Sequence, residues 1–373
     1  MFESILAWMH NLFGNYGLAV IAFTLLVRVV LFPFDFKSRK SMRKTARLQP
    51  KMAVLQKKYA NDREKLNRKM QELYKQEGVS PLSGCLPMLL SYPILIIMFN
   101  AMRGYANQQM VLQVLNNLTQ PTLTLENVKL ESFLWIRNLY MADSPVVSRL
   151  VGASDLRLIT ADVWQKAITN LGDADLLANI VSNYSTGRIA EMIGNGTISG
   201  LQAFGITNTE ALAGAVQSVN AQWLTASSFD QLHLSGTVGQ LNMLLQTTEA
   251  YQANTPTNIS MILLGTVQSL YNGFWILPIL SAVSQLVMTK LNPTQTQPAA
   301  ANDPNAQSQE ATGKFMKWFF PIFSLWICAS STAAFALYWV VSNLLAMIST
   351  VAVNKYLDSK EKKDAIAGEG IVQ

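Results

Sequence analysis

Five apolar runs constrain this chain more than any other feature. They lie at residues 14–34, 85–105, 271–290, 315–331 and 332–353. A helix rises ~1.5 Å per residue and a bilayer core is ~30 Å thick, so one crossing takes about 20 residues. The third run has its apolar stretch at Phe274–Thr289, which covers only ~24 Å. It reads either as a re-entrant or buried soluble helix or as a short span. Half of the 373 residues are apolar and 14% are charged, a balance that favours a membrane protein and hence the span.

The charges between the runs alternate as a crossing chain requires. Residues 35–84 hold fourteen Lys or Arg against five Asp or Glu, and residues 106–270 hold six against eleven. Lys290, Lys314 and Lys317 bracket the link at 291–314, and Lys355, Lys360, Lys362 and Lys363 mark the tail at 354–373. Short basic segments stay in the cytoplasm. The expected topology is therefore N-terminus outside, 35–84 inside, 106–270 outside and C-terminus inside. Residues 1–13 are too short to span. Phe2, Ile5, Leu6, Met9 and Phe13 recur at helical spacing, which predicts an amphipathic helix lying on the outer surface. A signal peptide is the competing reading, against which the segment has no basic start.

Residues 35–84 read as a basic helical hairpin. Pro50 is expected to open its first helix, with Met52, Leu55 and Tyr59 on one face. Asn61 or Asp62 caps the second helix, Leu66, Met70, Leu73 and Tyr74 share its apolar face, and Gly78 ends it. Lys57, Lys58, Arg63, Lys65, Arg68 and Lys69 lie on the outer faces. One account makes them a solvated basic face near lipid headgroups. The other makes them a dock for acidic or RNA-rich partners such as a ribosome or a targeting receptor. No aromatic residues interleave with the bases for base recognition, so sequence-specific nucleic-acid binding is not expected.

Arg28 interrupts the first run, seven residues before Asp35, hence ~10 Å along a helix from the first cytoplasmic charge. It can snorkel to the inner interface. No Asp or Glu occurs in any of the five runs, however, and an unpaired charge in lipid costs at least ~2.5 kcal/mol. Solvation by water in a cavity is the alternative. Polar groups for such a cavity exist: Thr24 one turn before Arg28, Ser91 and Tyr92, the stripe Ser281, Ser284 and Gln285, and Tyr338 with Ser342 one turn on. Taken singly, each is the kind of residue that joins helices to one another; taken together they suggest a polar groove.

Other chemistry finds little support. Cys85 and Cys328 sit in apolar runs without ligand-like neighbours, and His10 and His233 stand alone. A metal, a cofactor and a catalytic histidine are therefore not expected, and no GxxxxGK[ST] motif is present for nucleotide hydrolysis. The chain does not read as an enzyme.

The segments TLLVRVVLFP, RLQPKM, ELYKQEGVSPLSGCLPMLLSYPILI, WILPIL and LYWVVSNL, in this order, resemble the YidC/Oxa-type membrane protein insertases over residues 1–145 and 271–357. The resemblance implies an all-α polytopic membrane protein of the bacterial plasma (inner) membrane. Five helices would enclose a hydrophilic groove, with a cytoplasmic helical hairpin that receives substrates. It implies that Arg28 is the groove arginine and Thr24 its threonine neighbour. Tyr92, Leu95 and Trp326 would lie along the path of substrate helices, and Trp339 belongs to the matching LYWVVSNL segment. Nascent membrane proteins are the implied partners, with a ribosome, a targeting receptor and a Sec translocon as further candidates.

Three departures stand out. Residues 146–270 form an insertion, rich in Asn, Thr, Ser, Gln and Ala, that reads as a small helical domain outside the membrane. Within it TADVWQKAITNLG, DADLLANIVSNY and TNTEALAGAVQSVNAQWL read as helices. The tail after Val353 is short, and no lipoprotein-type signal segment is expected. Residues 291–314 read as a flexible linker. Two rival functions remain. A small-solute or anion transporter would use the arginine, but no internal repeat or intramembrane acid supports it. A membrane-anchored scaffold leaves Arg28 without a task.

Overall fold

The structure is a computed structural model that describes residues 2–59, 62–78, 86–120, 123–171, 210, 245, 248–258, 266–291 and 304–369. The helices are α1 (Phe2–Phe13), α2 (Tyr16–Lys58), α3 (Arg63–Gln76), α4 (Leu86–Leu118), α5 (Ala153–Leu156), α6 (Ala161–Leu171), α7 (Glu249–Gln252), α8 (Ile276–Leu291), α9 (Pro304–Ser330) and α10 (Ala333–Glu369). A short antiparallel pair, β1 (Pro256–Asn258) and β2 (Thr266–Gln268), modifies the all-α expectation. Among the described residues two helices are long and apolar enough to cross a membrane, within Tyr16–Thr45 and Ala333–Lys360. Ile276–Leu291 is a shorter apolar helix.

The chain forms two compact units. One holds Met1–Ala19, Asn100–Ile276 and Ala329–Phe335; the other holds Val20–Phe99, Leu277–Cys328 and Ala336–Gln373.

In the first unit, α1 buries Leu6 and Met9 while Trp8, Leu12 and Phe13 stay exposed. Gly14, at φ 64°, ends α1 with its N–H on the His10 carbonyl, and the Asn15 side chain accepts from the Leu18 N–H to start α2. Gly17 is bare because a Cβ there would meet the Phe133 ring. His10, which reads as solitary in the sequence, is not. Its Nδ1 lies 2.7 Å from the Tyr105 hydroxyl and its Nε2 lies 3.5 Å from Glu131. The partners are distant in sequence, so spacing could not reveal them. No group of three metal-binding side chains occurs among the described residues.

Of the helices expected in the insertion, TADVWQKAITNLG is α6, which buries Trp164 and Ala167. DADLLANIVSNY lies outside the described residues, as does TNTEALAGAVQSVNAQWL except for Glu210. The unit closes through main-chain bonds: Ala250 N–H to the Leu123 carbonyl, Gln268 N–H to that of Pro145, and Asn272 N–H to that of Val147.

In the second unit, α2 runs through Pro33 and Pro50 without a break. The helix start expected at Pro50 is thereby corrected. A proline inside a helix costs ~3 kcal/mol through one lost hydrogen bond and a clash. Burial of Leu48 and Met52, one on each side of Pro50, against Met70, Leu73 and Tyr74 of α3 offsets that cost. Asp62 is the N-cap of α3, its carboxylate accepting from the Lys65 N–H at 3.0 Å. Gly78, at φ 61°, follows the C-cap. Three further boundaries move: α4 continues to Leu118, α9 already starts at Pro304 inside the expected linker, and α10 carries the tail to Glu369.

Candidate functional site

The site lies in the second unit, along α2 and α10. Arg28 of α2 is partly buried, and its Nη2 donates to the Ser342 carbonyl at 2.8 Å and to the Ser342 hydroxyl at 2.6 Å. A guanidinium has five N–H donors. Nε and Nη1 have no partner among the described residues, so three donors remain for an incoming acceptor. Both acceptors on Ser342 are neutral, and the charge of Arg28 is therefore not cancelled.

The Arg28–Ser342 contact is one rung of a longer seam. Asp35 accepts from Ser349 at 2.9 Å and from Arg39 at 3.0 Å. Arg43 donates to the Asn354 carbonyl at 3.2 Å and pairs with Asp358. The first two rungs share a sequence separation of 314, so α2 and α10 run parallel with seven residues between rungs. Seven residues is two helical turns, which keeps the contacts on one stripe of each helix. Asp35 is the acid that follows Arg28 in sequence, and it is committed to Arg39 and Ser349 instead. Sequence reading missed Ser349 and Asp358; their spacing from Ser342 was the available signal.

A second polar cluster joins α8 to its neighbours. The Ser281 hydroxyl bonds the Pro278 carbonyl at 2.6 Å and the Ser324 carbonyl at 3.1 Å. The Asn343 amide donates to Ser284 at 2.8 Å, and Gln285 approaches the Asn343 oxygen at 3.4 Å. Ser281 and Ser284 are buried, so these hydroxyls join helices to each other. Thr24 is likewise buried and donates to its own helix, to the Val20 carbonyl at 2.6 Å. Tyr338 and Trp339 are buried, Trp326 is 64% exposed, and Leu95 is half-buried. The side chains of Ser91 and Tyr92 lie outside the described residues.

On the hairpin, Lys57, Lys58, Lys65 and Arg68 are exposed, and the side chain of Arg63 lies outside the described residues. Glu72 takes up Lys69 at 2.6 Å and Arg68 at 3.6 Å. Lys58 and Lys65 stand 5.8 and 5.9 Å from the Tyr59 ring centre, leaving positive charge at the turn end of the hairpin.

A family model described as 60Kd inner membrane protein matches residues 8–209 and 229–361. The chain belongs to this family, the YidC/Oxa1 family. A membrane protein insertase YidC of Geobacter sulfurreducens is 45% identical over 97 residues. One from Francisella tularensis subsp. novicida is 47% identical over 102 residues. Each alignment covers 26% of this chain and 18% of the relative's length, so the chain matches under a fifth of these YidC proteins. A family of inner membrane proteins accords with the apolar helices α2 and α10.

Proposed function

We propose that this protein is a membrane protein insertase, which passes nascent membrane proteins from the cytoplasm into the bilayer without nucleotide hydrolysis. The observation that carries the reading is Arg28: a guanidinium between two apolar helices, bonded among the described residues to neutral oxygens of Ser342 and with donors to spare. In this reading the chain crosses the bilayer five times, N-terminus outside and C-terminus in the cytoplasm, which the alternating loop charges support. The five helices enclose a hydrophilic groove around Arg28 that opens to the cytoplasm. The basic hairpin 35–84 receives the substrate and faces anionic lipid or the ribosome. A substrate's short polar outer segment enters the groove, where the positive charge lowers the cost of moving its acidic groups into lipid. Short spans thin the bilayer locally and lower the same barrier. The apolar helix of the substrate then leaves sideways past Leu95 and Trp326, and burial of its surface in lipid drives the step.

The test is insertion of a small single-span protein with an acidic outer segment into vesicles of bacterial lipid containing the purified protein. Arg28→Ala is expected to lower insertion about tenfold, the factor that corresponds to 1.4 kcal/mol, with Arg28→Lys in between. Full activity of the Ala variant on several substrates overturns the electrostatic role.

A further inference from the structure

Two arginines of the first unit flank one stretch of backbone, and among the described residues no acid pairs with either. Arg149 donates its main-chain N–H to the Leu270 carbonyl at 2.8 Å, and Arg137 donates its main-chain N–H to the Asn272 carbonyl at 3.2 Å. Tyr271 sits between these two attachments. The Arg137 guanidinium lies 4.9 Å from the Tyr271 ring centre, with Nη2 3.4 Å from the phenol oxygen. Among the described residues neither arginine belongs to an ion pair. The Nε of Arg149 is buried without a hydrogen-bond partner. Burial, and then the nearby Arg137, hold the Arg149 guanidinium below its ordinary range. An anion bound to both arginines would relieve their repulsion.

An exposed apolar edge adjoins these charges. Phe133 and Ile136 exchange main-chain hydrogen bonds of 2.9 and 3.0 Å, forming a tight turn with Leu134 at its tip. Leu134 is 72% exposed at φ 54°, a left-handed conformation that leucine disfavours. Phe274, 50% exposed, packs its ring 5.1 Å from that of Tyr271. Leu134 lies three residues before Arg137 in the chain, and Phe274 packs on the same Tyr271 ring that Arg137 faces, so apolar groups and two arginines without a carboxylate partner among the described residues are joined through one short stretch. It offers a fork for a phosphate and an apolar edge for what the phosphate carries.

We infer that Arg137 and Arg149 bind the phosphate of a membrane phospholipid, with Leu134 and Phe274 against its glycerol and acyl portion. This rests on the membrane-spanning reading above, which places the surface at the outer face of the bilayer. The lipid holds the loop that carries Leu134 to the headgroup layer.

The test is lipid retention by the full chain in detergent micelles, counted by native mass spectrometry during titration with phosphatidylglycerol. The double variant Arg137→Gln/Arg149→Gln is expected to lower retention of one phospholipid about tenfold, since each charge-assisted bond is strong. Arg137→Lys/Arg149→Lys keeps the charges without the fork and falls between. Wild-type retention by the Gln variant overturns the site. Inorganic phosphate is titrated in parallel. Displacement of the lipid by millimolar phosphate, with no preference for the lipid, overturns the phospholipid assignment in favour of a free anion. Flotation of each variant with phosphatidylglycerol vesicles separates the two readings. A chain that fails to float defeats the membrane-spanning reading, whereas normal floating with unchanged retention defeats this site alone.

Discussion

Ser342 decides how much of Arg28 is offered to a substrate. Its hydroxyl and carbonyl both take Nη2, which orients the group and leaves the rest of the fork open. Ser342→Ala removes the 2.6 Å bond and keeps the carbonyl one. Its expected cost is ~1–2 kcal/mol of stability, read as a lowered unfolding temperature, with partial insertion retained. Ser342→Asp is the sharper probe, because it sets a carboxylate against the guanidinium. Insertion of substrates with acidic outer segments should then fall about as far as in Arg28→Ala, roughly tenfold, while the protein stays folded. Undiminished insertion by Ser342→Asp would mean that net charge at this place does not matter. Asp155 offers a separate test in the first unit. Burial raises its carboxyl above the usual carboxylate range, against the opposing pull of its hydrogen bond from the Gly152 N–H. A raised folded value favours the native state at low pH, and that contribution is lost as pH rises through it. Asp155→Asn should therefore be more stable than the parent at neutral pH, with the advantage shrinking as pH falls through the raised folded value and gone below about pH 4. The residue type at Arg28 and the serine at Ser342 were legible in sequence. The main-chain carbonyl that receives Arg28 was not, since a carbonyl has no letter. The His10–Tyr105 contact, 95 residues apart, was hidden for the same lack of a local signal.

At the scale of elements, the hairpin shows where pattern reading worked and where it failed. The face Met70, Leu73 and Tyr74 was legible because three- and four-residue spacing marks one side of a helix. Leu48 was lost because Pro50 read as a beginning. Proline is common at a first turn and rare inside a helix, so the local rule pointed the wrong way. Packing against α3 overrode it, and only the tertiary contact could have said so. The same contact yields a prediction. Leu48→Ala removes a side chain that is 3% exposed, at an expected cost of ~2–4 kcal/mol to hairpin docking. Limited proteolysis within residues 59–78 should quicken by at least about tenfold. Val54→Ala, at a position 63% exposed, should leave the rate unchanged. Equal rates for both variants would mean that the Leu48 contact does not hold the hairpin together. The α2–α10 seam was half legible: the polar letters stood out, whereas the register that matches 28 with 342 and 35 with 349 required two helices to be placed together.

At the scale of the molecule, one short stretch of the first unit caps the starts of two helices and fixes the backbone just before a third. The first N–H groups of a helix lack partners within it. Glu131 accepts from the Tyr16 N–H at 2.8 Å at the start of α2. The Met141 and Leu139 carbonyls accept from Ala333 and Ala334 at 2.8 and 3.0 Å at the start of α10. Asp143 accepts from the Phe274 N–H at 2.8 Å, two residues before α8. A stretch that satisfies so many helix starts has to be held in shape, and part of the insertion contributes: the Asn138 side chain donates to the Arg149 carbonyl at 2.8 Å. Tyr251 donates its hydroxyl to the Val151 carbonyl at 2.8 Å, and Leu156, Trp164 and Tyr251 are buried in the same unit. Replacing residues 173–243 by a Gly/Ser linker of about 15 residues spares every one of these contacts and should leave folding and insertion intact. Deleting residues 150–260 removes Val151, Leu156, Trp164 and Tyr251, and with them several large buried side chains. Such losses cost ~3–5 kcal/mol for an aromatic side chain alone, so the longer deletion should lower the unfolding temperature and insertion together. If the shorter deletion folds like the parent but no longer inserts, residues 173–243 take part in function. If the longer deletion folds and inserts normally, the stretch 131–143 needs no such support, and the α2, α8 and α10 starts hold it by themselves.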